Sequence, residues 1–83
     1  MKSKQILICD DEESICESIS ISLKNDGYKT IKCKNGKEAI KAIGKNHVDL
    51  VIMDVMMPGE DGLKTVARIR ESSDVPIIFL SAK

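Results

Sequence analysis

The 83-residue chain is predicted to be an α/β domain, a doubly wound parallel sheet with helices on both faces. Three observations predict it. Apolar runs of strand length alternate with stretches whose apolar residues recur at helical spacing. The strongest runs are apolar at successive positions, as strands covered on both faces must be. No repeat, low-complexity tract or Pro/Gly/Ser linker divides the chain, so residues 1–83 read as one domain.

The first strand is Gln5-Ile6-Leu7-Ile8-Cys9. Ile15, Ile19 and Leu23 then recur every four residues and predict a helix with one apolar stripe. Asn25-Asp26-Gly27 stops it, because Gly accepts the left-handed conformation of a C-terminal cap. Tyr28 to Cys33 reads as a second strand with one wetter face, and Asn35-Gly36 turns the chain. Ala39, Ile40 and Ile43 mark a shorter second helix. Leu50-Val51-Ile52-Met53 is a central-strand pattern ending at Asp54, and Pro58-Gly59 forces a turn. Asp61 is placed to cap a third helix with the stripe Leu63, Val66, Ala67 and Ile69. Pro76-Ile77-Ile78-Phe79-Leu80 is a fourth buried strand. Only Ser81-Ala82-Lys83 follow, so that strand's apolar edge is expected to be open to strand exchange or self-association.

Thirteen basic and 13 acidic residues give zero net charge, which removes the electrostatic case for general nucleic-acid binding. No run approaches the ~20 apolar residues of a membrane span, and the start of the chain lacks a signal-peptide pattern. Lys24, Lys29, Lys32, Lys34, Lys37, Lys41 and Lys45 outnumber Asp26 and Glu38 by five charges. Without interleaved aromatics they read as a solvated face. Cys9, Cys16 and Cys33 show no ligand spacing and are expected to be buried free thiols of a cytoplasmic protein. His47, between two elements, is expected in a solvated loop.

Three carboxylates fall where strands end: Asp10 and Asp11 after the first, Asp54 at the end of the third. Ligands of an open doubly wound sheet bind outside the carboxyl ends of its strands. If strands one and three are neighbours, these carboxylates converge and repel unless a cation neutralises them. Hard oxygen ligands suit Mg²⁺ or Mn²⁺. The run Asp10 to Glu13 also has a plain explanation, since acids favour a helix N-terminus and Asp11 could be its N-cap. That does not account for Asp54 against apolar neighbours.

Ile6-Leu7-Ile8-Cys9-Asp10-Asp11-Glu12, the stretch Asp49 to Leu63 with Asp54-Val55-Met56-Met57-Pro58-Gly59-Glu60-Asp61-Gly62, and Pro76 to Ala82 together resemble the receiver domain of bacterial response regulators. The resemblance covers essentially the whole chain. It implies a flavodoxin-like sheet of order 2-1-3-4 and a phosphoacceptor of two-component signalling rather than an enzyme. Asp54 matches the phosphoacceptor that takes a phosphoryl group from a sensor histidine kinase or phosphotransfer protein. Asp11 and Asp54 match the Mg²⁺-ligating carboxylates, Asp10 the one acting through water, and Met56 the backbone carbonyl ligand. Pro58 and Gly59 match the residues that shape the loop, and Gly62 the one that opens the next helix. Ser81 matches the switch hydroxyl, and Ala82 the small residue that leaves room for the phosphoryl group.

Receivers continue through a further helix, strand and helix, and with them the lysine that contacts the phosphoryl group. This sequence is therefore expected to be a receiver lacking that portion, and no lysine is carried over. The competing expectation is a non-catalytic receiver fragment acting through interaction or strand exchange. A nucleotide-binding or hydrolase-like domain fits poorly, because Asp10-Asp11-Glu12-Glu13 stands where a Gly-rich phosphate loop belongs.

Overall fold

A computed structural model describes residues 3–57 and 60–80. Their elements in chain order are β1 (Gln5–Cys9), α1 (Glu13–Asn25), β2 (Lys29–Cys33), α2 (Gly36–Lys45), β3 (Leu50–Asp54), β4 (Met56–Met57), β5 (Glu60–Asp61), α3 (Gly62–Arg70) and β6 (Ile77–Leu80). Four strands form one parallel sheet of order β2-β1-β3-β6, the predicted doubly wound order. The short β4 and β5 pair antiparallel beside it.

Period-two alternation splits the central strands between two cores. Leu7 and Cys9 of β1 and Val51 and Met53 of β3 face α2 and α3, packing with Ala39 and Ile69. Ile6 and Ile8 face α1, packing with Cys16, Ile19 and Leu23. β1 thus buries both faces, while β3 buries Val51 and Met53 on one face and leaves Leu50 and Ile52 half-buried on the other.

The fourth strand, expected to be buried, is β6, and it exposes Ile78 and Phe79 because among the described residues no helix packs closely over it. Two helix stripes also differ from expectation. On α1 the fully shielded positions are Cys16 and Ser20 rather than Ile15. Ser20 hides its polarity by sharing a hydrogen with Thr30 Oγ1 at 2.6 Å, a cross-element partner invisible to hydropathy. On α3 the buried residues are Gly62, Thr65 and Ile69 with Val66 half-buried, while Leu63 and Ala67 face solvent. Asp61 pairs its backbone with Met56 in β5, and α3 opens at the next residue, Gly62.

The terminators match their residue types. After α1 the Tyr28 N–H reaches Leu23 O and the Gly27 N–H reaches Lys24 O, both at 3.0 Å, with Gly27 at φ +93°. This six-to-one, five-to-two pair is a Schellman stop and needs Gly. Asn35 caps α2 by accepting the Glu38 N–H at 2.9 Å, so the Asn-Gly pair starts a helix as well as turning the chain. Where α3 hands over to β6, Arg70 Nη1 donates to Val75 O at 2.6 Å. At the opposite end of the sheet Asp49 ties β1 to β3: its N–H donates to Gln5 O and its Oδ2 accepts the Gln5 N–H, each at 2.8 Å.

Candidate functional site

Asp10 follows β1 directly and donates its N–H to Cys33 O at 3.0 Å, which extends the β1–β2 ladder by one bond. The chain then bends, and the Glu12 N–H donates to Asp10 Oδ1 at 2.9 Å. Glu12 is the N-cap residue of α1 and uses no side-chain cap bond. Asp11 is therefore not the helix cap, and its side chain stands exposed beside the strand ends. Asp54 closes β3, wholly shielded from solvent. Because Cys9 and Met53 are register partners, the residues that follow them, Asp10 and Asp54, leave the sheet side by side.

Carboxylate oxygens of Asp10, Asp11 and Asp54 lie within 4.8 Å of one another. At that separation each pair of charges repels by about 3.5 kcal/mol at an effective dielectric of 20. Asp10 and Asp54 are both fully buried, so water screens them poorly. The donors are all hard oxygens, and the exposed Asp11 leaves one side open to water or substrate. The set fits a hexacoordinate divalent cation such as Mg²⁺ or Mn²⁺ far better than zinc.

Gly62 packs against the backbone that carries Asp54. A Cβ there would lie 2.6 Å from Asp54 O, 3.0 Å from Val55 Cα and 3.3 Å from Val55 O. Glycine is needed here for close approach. Met56 sits two residues beyond Asp54 with its backbone in the β4–β5 pairing. The remaining expected residues, Pro58, Gly59, Ser81 and Ala82, lie outside the described residues. Leu80, just before Ser81, is the register partner of Asp54.

Hydropathy alone did not single out Cys16 as a neighbour of the site. Its thiol lies 3.4 Å from Asp10 O. With Asp10, Asp11, Glu13, Lys32, Cys33, Lys34 and Glu38 it lines an open cleft of about 300 Å³ beside the carboxylates. Burial raises the Cys16 thiol above its ordinary value and pushes Cys33 up to about 11. All three cysteines are free and buried, as expected. Lys32 is engaged by Glu17 in an exposed ion pair. His47 is an exposed loop residue whose Nε2 lies 2.8 Å from Asp49 Oδ1.

No helix among the described residues is long and apolar enough to cross a membrane. VanR, a regulatory protein of Enterococcus faecium, is 42% identical over 81 residues, covering 98% of this chain and 35% of VanR. The chain spans about a third of the length of the curated relatives it matches. The response regulator TrrA of Thermotoga maritima, solved in complex with Mg²⁺ and BeF, superposes with a TM-score of 0.88 at 41% identity, covering 96% of this chain and 70% of TrrA. The same regulator in complex with the histidine kinase ThkA gives a TM-score of 0.87 at 41% identity, over 95% of this chain and 69% of that one. The family model for the response regulator receiver domain matches residues 6–83. With its sheet order and its carboxylates at the strand ends, the chain belongs to the response regulator receiver domain family, a signalling module of two-component systems.

Proposed function

We propose that this chain is a cytoplasmic phosphoacceptor module in which Asp54 takes a phosphoryl group from a sensor histidine kinase or phosphotransfer protein. The observation that carries the reading is the meeting of Asp10, Asp11 and Asp54 within 4.8 Å at the carboxyl ends of β1 and β3. An Asp54 carboxylate oxygen attacks phosphorus, the new O–P bond forming as the P–N bond of the phosphohistidine breaks. The imidazole nitrogen leaves with the electron pair. Asp10, Asp11, Asp54 and the Met56 carbonyl are the groups that would hold Mg²⁺ or Mn²⁺. When bound, the cation supplies charge neutralisation at the phosphoryl oxygens. Pro58 and Gly59 shape the adjoining loop, Ser81 offers a hydroxyl to the new phosphoryl group, and Ala82 leaves it space. The solved TrrA complexes with Mg²⁺ and BeF and with a histidine kinase support this reading by similarity.

One observation favours a second reading, an interaction module working through its sheet edge. Among the described residues β6 pairs only with β3, and Ile78 and Phe79 are 54% and 40% exposed. Intact mass after incubation with Mg²⁺ and acetyl phosphate separates the two. The phosphoacceptor reading predicts one added phosphate, absent in Asp54→Asn. Folded wild-type protein that gains none contradicts it.

A further inference from the structure

Asp10 is held in place at three atoms. Its N–H is fixed by Cys33 O and its Oδ1 by the Glu12 N–H, both backbone partners that survive any side-chain substitution. The third hold is different. The Cys16 Sγ lies 3.4 Å from Asp10 O, against 3.8 Å to Cys33 O and 4.0 Å to Ile8 O. A thiol has one proton to donate, and Asp10 O is the nearest acceptor. Cys16 is 4% exposed in the first turn of α1, so its sulfur cannot swing away to solvent.

We infer that Cys16 is a positioning residue for the cation site: its thiol anchors the Asp10 carbonyl and so sets the direction in which the Asp10 carboxylate meets those of Asp11 and Asp54. The inference rests on the reading of these carboxylates as a divalent-cation site and names a residue that tunes it. Cys16 is not itself a ligand. Groups that orient the ligands of a cation site typically change its affinity about 10–100-fold when replaced. A thiol is a weak donor, so the low end of that range applies.

The alternative is an inert filler, a small apolar group packed under the strand ends. Three variants distinguish the roles, with Mn²⁺ affinity read by titration of protein whose folding is verified by circular dichroism. Cys16→Val stays apolar, adds some bulk and loses the donor, Cys16→Ala loses both donor and bulk, and Cys16→Ser keeps a donor in less volume. Positioning predicts that Val and Ala each weaken Mn²⁺ binding about tenfold while Ser stays within about twofold of wild type. Val binding as tightly as wild type overturns the inference, and so does Ser losing as much as Val. Should Val not fold, Ala is compared with Ser on the same terms. Folded wild-type protein that binds no Mn²⁺ overturns the cation-site reading itself, and the role of Cys16 falls with it.

Discussion

Replacing Gly62 with Ala places a methyl group 2.6 Å from the Asp54 carbonyl oxygen, 0.8 Å short of the 3.4 Å at which ordinary contact begins. The obstacle is backbone, and Val55 Cα at 3.0 Å blocks retreat along the chain. Forcing an extra carbon into packed structure costs about 1–3 kcal/mol. The usual gain from Gly to Ala in a helix is at most ~1 kcal/mol, and less at the first helical residue. The balance is a loss of roughly 1–2 kcal/mol. For a domain of this size each kcal/mol moves the melting temperature by about 4–8 °C. Because the atom displaced is the carbonyl of Asp54 itself, the proposed nucleophile shifts with it. Gly62→Ala should therefore melt lower by circular dichroism and also bind Mn²⁺ more weakly. A melting temperature equal to or above wild type would show that α3 can slide off the β3 end at no cost, and would refute the packing argument.

Asp11→Ala should weaken Mg²⁺ or Mn²⁺ binding at least ~10-fold while raising the stability of the cation-free protein, since one of three mutually repelling charges is gone; unchanged affinity in a titration removes Asp11 from the site. The Gln5 N–H, with help from His47, holds the Asp49 carboxyl below its ordinary 3.8. Its folded value being depressed, its stabilisation is complete above about pH 4 and is lost as pH falls through the folded value. Melting temperature should thus drop at acid pH in wild type and drop less in Asp49→Asn. Cys33, pushed up to about 11 from 9.0 by burial, acts in the opposite direction: stability should fall between those two pH values, and at pH 8 iodoacetamide should modify Cys33 far more slowly in folded than in denatured protein.

The fold was legible because a parallel sheet writes itself in uninterrupted apolar runs. Ile6 to Cys9 and Leu50 to Met53 are the inner strands; the first is buried on both faces, the second fully on one and half on the other. The carboxylate site was legible for a related reason: Asp10 and Asp54 each interrupt such a run where it ends. Helix faces were less readable. Ser20 and Thr65 are buried and polar, and the Ser20 hydroxyl finds Thr30 on another element, whereas Leu63 is 58% exposed. Hydropathy assigns polarity to each residue, but burial depends on partners distant in sequence. Asp11 as N-cap was reasonable by residue type. The N-cap is Glu12, and its N–H donates to the Asp10 carboxylate instead. The proximity of Gly62 to Asp54 O and of Cys16 to Asp10 O follows from how α3 and α1 dock, which no local pattern encodes.

The most direct test of the phosphoacceptor claim is to locate the phosphoryl group. Protein treated with acetyl phosphate, with Mg²⁺ or with chelator, is reduced with borohydride, which converts an aspartyl phosphate to homoserine, and its peptides are sequenced by mass spectrometry. Homoserine is expected at position 54 alone, and only when the cation is present. Modification at another carboxylate, or at Asp54 undiminished by the chelator, would contradict it.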